Sequence, residues 1–324
     1  MKIFQSSLSY YTFELIHEFA PEIKVNLLRS FGLDDNQTFK ILKDYPQHID
    51  KVILDSGVWS KNQNPGKVTH TVYDYGAFLK EHGDKFYCYF NYDEDFNEAE
   101  KDNFASKNWD NQKILEDMGL NPVPVLHSLG DDELSRIIDQ REKYPLIAIG
   151  SNAIGMKNFR NAVKQLYDAG VRVHAFRIGS ADVLQGLHAW SSDCSSHAQW
   201  TKGGRCVFFD NATKKDQAVS FRPFNKQGKK NDDYYHLHKD IDRFRWFVEE
   251  FIGFEFDDLI KNSSFRTFSN SMYFWWLEKY VTSVNLDLQS PDGPIVFEQD
   301  GEDAQTFVPI WDFPDSLWEM DRDW

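Results

Sequence analysis

The chain has 324 residues and a formal charge of −15, from 51 Asp and Glu against 36 Lys and Arg, which excludes unguided adsorption to a polyanion because phosphate contacts need clustered cations. A hydrophobic share of 41% and an aromatic share of 16%, with 27 Phe, supply a large core and exclude a disordered chain. The three cysteines, Cys88, Cys194 and Cys206, have no paired spacing, which excludes a disulfide framework and a four-thiolate zinc site.

Starting at the N-terminus, Met1-Lys2-Ile3-Phe4 opens no charged segment followed by a long apolar stretch. No apolar run approaches the roughly 20 residues that span a bilayer, so a cytoplasmic protein without membrane contact is expected. Short apolar runs rich in Val, Ile, Phe and Tyr then alternate with longer helical patterns, the signature of repeated strand–helix units and a parallel sheet. Strands are expected at 3–9, 24–31, 51–56, 86–93, 122–127, 146–151, 172–179 and 191–195. Helices are expected between them at 11–19, 35–45, 72–82, 98–119, 131–143, 156–169 and 181–187. Gly119 and Gly170 stop two of these helices in left-handed turns, and Phe159, Val163, Leu166 and Tyr167 form an inward stripe.

Eight such units predict an α/β fold, a TIM (β/α)8 barrel over residues 1–206. Past Cys206 the alternation fails, residues 211–238 are polar, and helical patterns return at 240–250 and 269–284. Residues 207–324 are expected to form a mostly helical C-terminal appendage on the barrel, without a zinc subdomain, ending in an acidic tail with Trp311, Trp318 and Trp324.

Asp55 and Asp193 each end a short apolar run, and in a barrel the strand C-termini converge, so carboxylates distant in sequence meet over one substrate. Lys202, Arg205, Lys214 and Lys215 follow the Asp193 segment and read either as a solvated loop or as a grip on phosphates. Cys194 reads as a small buried hydrophobe, and His174 and His197 as structural residues. A metal-dependent hydrolase needs a cluster of His and carboxylates that His127 and His174 do not supply, so no metal is expected. No glycine loop cradles a phosphate, so no cofactor is expected.

Leu54-Asp55-Ser56-Gly57, Asp93 at a strand end, Ile147-Ala148-Ile149-Gly150-Ser151, Gly179-Ser180-Ala181-Asp182 and Asp193-Cys194 occur in that order. Together they resemble the tRNA-guanine transglycosylase superfamily over roughly residues 50–206, and within it the 7-deazaguanine DNA transglycosylases of phages and bacterial modification clusters. The resemblance implies a barrel that exchanges guanine in a polynucleotide for a 7-deazaguanine through a covalent aspartyl-sugar intermediate. By position, Asp193 matches the nucleophile, Asp55 the general acid/base, and Asp93 the acid that reads the guanine edge. Gly150 and Ser151 match a backbone pair on the base carbonyl, and His127 falls where the family has a base-contacting glutamine. Ser56 and Gly179, inside matched motifs, join them as substrate-binding positions.

Tyr87, Tyr89, Phe90, Tyr92 and Phe176 are expected to sandwich the base. Where the tRNA enzymes carry a zinc-binding cysteine cluster, this chain has Cys206 without a partner, and the arginine-bearing segment after the nucleophile reads Ser195-Ser196-His197-Ala198-Gln199-Trp200. These departures shift the expected partner from tRNA to DNA, with its guanine flipped or single-stranded. The expected incoming base is 7-cyano-7-deazaguanine or a relative, and the expected location is the host cytoplasm if the protein is phage-encoded. A tRNA enzyme, a free-nucleoside base exchanger, and an inactive barrel that binds nucleic acid or protein remain the alternatives.

Overall fold

Seven runs containing branched or aromatic residues and one short polar run, Ser191-Ser192-Asp193-Cys194, form the parallel strands β1 (Lys2–Ser6), β2 (Val25–Ser30), β3 (Ile49–Asp55), β4 (Cys88–Tyr89), β5 (Val125–Leu126), β6 (Leu146–Ile149), β7 (Arg172–Ala175) and β8 (Ser191–Cys194). The computed structural model describes residues 1–285 and 288, apart from 34, 64–65, 67–68, 95–100, 128, 130, 151–154, 211–214 and 226. Ser151, Lys214 and the Trp-rich tail therefore lie outside the described residues.

The strands lie in the order β4-β3-β2-β1-β8-β7-β6-β5. A parallel bridge between Phe90 and Val123 joins the two edges, with Asn91 N–H on Val123 O and Val123 N–H on Tyr89 O, both at 2.8 Å. The sheet is thus a closed eight-stranded TIM barrel, and closure leaves no unpaired edge. All eight strands fall where the sequence predicts them, though β4 and β5 are regular over two residues each.

Around the barrel run α1 (Tyr10–Phe19), α2 (Asp35–Asp44), α3 (Val58–Gln63), α4 (Val72–His82), α5 (Lys101–Asp117), α6 (Asp131–Asp139), α7 (Met156–Asp168), α8 (Ala181–Leu184) and α9 (Ser196–Lys202). Gly119 and Gly170 follow α5 and α7 at φ +81° and +83°, as their sequence positions predict. The sequence shows no sign of α3 or α9, because six or seven residues are too few to display a helical apolar period.

Beyond the barrel the first element is a hairpin, β9 (Arg205–Asp210) paired antiparallel with β10 (Lys215–Ser220), where a mostly helical appendage is predicted. Residue 206 lies inside β9. Helices α10 (Ile241–Trp246), α11 (Phe256–Lys261) and α12 (Ser263–Val284) follow. Because α8 and α9 are short, α12 supplies the missing wall beside β1. Phe268, Met272, Phe274, Leu277 and Val281 are all buried on it, and a helix apolar on most sides is one that the fold encloses. The Glu278 carboxylate ties its far end to the sheet, accepting from Ile3 N–H at 2.7 Å and Asn26 Nδ2 at 2.8 Å. Among the described residues no helix is long and apolar enough to cross a membrane.

Side chains alternate between the barrel interior and the outer shell, as the period of a strand requires. Phe4, Leu28, Ile53, Phe90, Val125 and Ala148 fill the interior. Tyr87 and Trp190, stacked at 5.8 Å with an interplanar angle of 19°, plug the end where the strands begin, and Lys51 Nζ lies 3.8 Å from the Tyr87 ring centre.

If α12 is an integral stave of this barrel, Phe274→Ala lowers stability by about 3–5 kcal/mol. The loss appears in a denaturant titration as one cooperative transition at lower midpoint, not as a separate early transition.

Candidate active site

The alternation that fills the interior also selects what stands at its mouth. Counting two residues onward from Phe4, Leu28, Ile53, Val125 and Ala148 gives Ser6, Ser30, Asp55, His127 and Gly150, all at the strand C-termini. On β8, Cys194 belongs to the outer cluster, so its neighbour Asp193 points inward. The two carboxylates expected to meet therefore share one end of the barrel, 5% exposed in the case of Asp193 and partly buried in that of Asp55.

Asp193 is held on both oxygens. Ser6 Oγ–H donates to Oδ2 at 2.9 Å and the Arg177 backbone N–H donates to Oδ1 at 2.7 Å. Ser7 and Arg177 have φ +59° and +64°, and no other described non-glycine residue has a positive φ. They sit beside, or at, the two donors to Asp193, in a conformation that costs an L-residue about 1–2 kcal/mol. The guanidinium of Arg177 lies 5.2 Å from the ring centre of Trp59, which is 47% exposed on the rim.

Asp93 is likewise satisfied on both oxygens, by Ser56 Oγ–H on Oδ1 at 3.0 Å and by His127 Nε2 against Oδ2 at 2.8 Å. Gly150 makes this possible, since a Cβ there would stand 2.9 Å from the His127 ring. Asp55 differs. Ser30 Oγ–H and Gly57 N–H both donate to Oδ2, each at 3.3 Å, and no other described residue donates to this carboxylate. Burial pushes the Asp55 carboxyl up to about 7, reinforced by the charges of Asp93 and Asp193 and opposed by the Gly57 N–H and the Ser30 hydroxyl. An acid of this strength releases and recovers a proton near neutrality. Gly57 is required by its φ of +76° and by the Phe31 carbonyl, which would lie 2.3 Å from a Cβ.

Asp55, Asp93, Asp193, Ser56, His127 and Gly150 thus belong to one mouth, whereas Gly179 stands outside it. A Cβ on Gly179 would meet Cys194 at 2.7 Å and Phe274 at 3.3 Å, both of the outer cluster, so its role is to let the chain pass close behind β8. Of the five aromatics expected around a base, Phe90 and Phe176 face the interior with ring centres 4.7 Å apart. Tyr87 plugs the opposite end, and Tyr89 and Tyr92 point into the outer cluster.

The basic residues expected to grip phosphates are dispersed. Phe209 packs on Tyr280 with ring centres 4.6 Å apart, and Thr282 Oγ1 donates to Met1 O at 2.9 Å, so β9 runs along α12 toward the strand N-termini. Lys215, in register with Asp210, is carried to that end, away from the carboxylates. Arg205 pairs with Asp233 at 3.3 Å, and Lys202 lies exposed at the end of α9 on the outer wall. The hairpin, invisible in the sequence, is the reason. Ser6, Ser30, Arg177 and Trp59 are site residues that sequence reading missed. Only Ser6 and Ser30 carry a signal, as last residues of apolar runs.

Cys206 does not fit a zinc site. Its thiol faces the Arg266 carbonyl at 3.8 Å, burial pushes its pKa well up, and among the described residues no group of three His, Cys, Asp or Glu is arranged to hold a metal. His197 is fully buried, with its pKa lowered to about 4 by burial.

No protein-family model and no curated protein matches the chain. Among solved structures it is similar to a muconate cycloisomerase from Azorhizobium caulinodans (10% identity, 60% of this chain and 54% of that one, TM-score 0.40). It is also similar to a mandelate racemase/muconate lactonizing enzyme from Bordetella bronchiseptica RB50 (10%, 60% and 53%, 0.36). A third similar structure is xylanase 10B from Thermotoga maritima (10%, 76% and 96%, 0.36). The chain spans about half the length of the first two. None of these likenesses transfers a reaction or substrate.

The raised pKa of Asp55 has a stability consequence. The folded state keeps a proton up to about pH 7 that the unfolded chain releases near its ordinary value of 3.8, so the folded state loses stability as pH rises between the two. Asp55→Asn removes this term, and its gain in melting temperature over the wild type is expected to be larger at pH 8 than at pH 5. Equal gains at the two pH values, measured by thermal denaturation, contradict the assignment.

Proposed function

We propose that this barrel is a base-exchange glycosyltransferase that replaces guanine in DNA by a 7-deazaguanine, such as 7-cyano-7-deazaguanine. One observation carries the reading: at a single mouth, a carboxylate held on both oxygens, Asp193, faces a second carboxyl, Asp55, that is poised near neutrality. Displacing a base at a sugar carbon passes through an oxocarbenium-like state, which a carboxylate beneath the ring stabilises and then traps as an ester. Asp193 takes that part. The departing purine needs a proton and the incoming one must lose a proton, so a single acid that cycles serves both halves. Asp55, whose donors Ser30 and Gly57 both sit on Oδ2, takes this second part.

Asp93, oriented by Ser56 and His127, offers an acceptor to the amino and imino edge of a guanine-like base. Phe176 in the barrel interior and the exposed Trp59, against Arg177, supply apolar surface. DNA rather than tRNA is favoured by the sequence departures at the zinc and RNA-contact positions of the resembled family. A guanine within a duplex must be flipped out to reach this mouth, at a cost of a few kcal/mol.

The test offers guanine-labelled DNA and tRNA with 7-cyano-7-deazaguanine and measures released label. Release from DNA and not from tRNA is expected. Asp193→Ala is expected to lose activity by a factor of about 10³ or more and Asp55→Asn by about 10²–10⁴, with the rate falling above pH 7 as Asp55 ionises. Lys239→Ala, an exposed control, is expected to be unaffected. Undiminished exchange in Asp193→Ala overturns the mechanism, and release from tRNA alone overturns the choice of DNA.

A further inference from the structure

His174 is a buried histidine that the proposed exchange leaves without a task. It lies on β7, next to β8, and is 0% exposed. Nδ1 is 2.7 Å from Ser191 Oγ, while Nε2 is 3.7 Å from Asp193 Oδ1 and has no hydrogen-bond partner among the described residues. Phe90 and Phe176 enclose the ring, with centres 4.9 and 4.7 Å away. A polar atom this deep in an aromatic setting is costly to leave unpaired, and it approaches the Asp193 carboxylate.

The two neutral tautomers differ sharply here. With the proton on Nδ1, the Nε2 lone pair would face a carboxylate oxygen 3.7 Å away. With Ser191 Oγ–H donating to Nδ1, the proton sits on Nε2 and points at the carboxylate. The second arrangement turns a repulsion into an attraction, and a hydrogen bond on one ring nitrogen is what selects the proton position on the other.

We infer that His174 is a positioning residue for Asp193: Ser191 holds its tautomer, and Nε2–H supports the Asp193 carboxylate when that group is released from the sugar. The chemical part rests on the base-exchange reading. In the first half-reaction an Asp193 oxygen bonds the anomeric carbon, the bond from that carbon to guanine breaks with its electron pair on the base, and Asp55 supplies the proton. In the second, the ester bond breaks and its electron pair returns to Asp193, while the incoming base bonds the same carbon and gives its proton to Asp55. A donor beside Asp193 favours the carboxylate over the ester, so it accelerates the second half. The 3.7 Å gap suits a contact that shortens when the site fills.

The experiment compares His174→Leu, which removes the donor, with His174→Gln, which keeps an N–H near the Nε2 position. In the leucine variant, exchange into DNA is expected to slow about tenfold or more with KM little changed. The glycosyl-enzyme is expected to accumulate as an added mass on the denatured protein, and glutamine is expected to restore turnover. Ser191→Ala, which frees Nδ1, is expected to give a milder form of the same defect and serves if the leucine variant does not fold. Wild-type turnover without adduct in both His174→Leu and Ser191→Ala overturns the inference. Nitrogen NMR of the unliganded protein reads the tautomer directly: a proton on Nε2 supports the inference and a proton on Nδ1 overturns it. If the wild type exchanges no base in DNA, tRNA or nucleosides, the base-exchange reading falls while the NMR result still decides the role of His174.

Discussion

Three carboxylates open onto one barrel mouth, and like charges in a partly dehydrated space cannot all ionise without mutual cost. The chain distributes that cost unevenly. Asp93 and Asp193 each receive a donor on both oxygens, from Ser56 and His127 in one case and from Ser6 and Arg177 in the other. Asp55 receives its two donors on a single oxygen, and burial first, then the charges of Asp93 and Asp193, push its pKa up to about 7. The mouth thus sets an acid near neutrality beside a carboxylate with a donor on each oxygen, through burial of the first and through Ser6 and the Arg177 backbone at the second.

That arrangement depends on backbone that ordinary residues adopt reluctantly. Ser7 and Arg177 leave the ends of β1 and β7 in the left-handed region, and these are the strands that flank β8. Strain at these two points sets donors on either side of Asp193. The surrounding wall has to hold them. The α12 helix helps to do so, filling the space that α8 and α9 are too short to cover and joining the starts of β1 and β2 through Glu278. The C-terminal region is therefore part of the barrel's own core, in which Cys206, Phe208, Phe244 and Phe268 share a cluster with Phe13 and Leu27.

Much of this was legible in the residues. Apolar runs separated by helical patterns mark seven of the eight strands, and Asp55, closing Val52-Ile53-Leu54, marks a polar group at a strand end, while β8 with Asp193 is a short polar strand. Less legible was the direction in which a residue points. Tyr89 and Phe90 are adjacent aromatics, and only the paired sheet shows that Phe90 turns inward while Tyr89 turns out. The basic residues around 202–215 follow Asp193 closely in sequence, yet the β9–β10 hairpin takes Lys215 to the far end.

The sequence by itself determined the number and type of the repeating units and the identity of the acids at their ends, because periodicity and composition are local properties that secondary structure obeys. Only the tertiary structure decided that Ser6, His174 and Arg177 surround Asp193, and that burial raises the pKa of Asp55. Those facts depend on barrel closure, on strand phase, and on burial and charge contributed by residues far apart along the chain. No window of sequence contains that information.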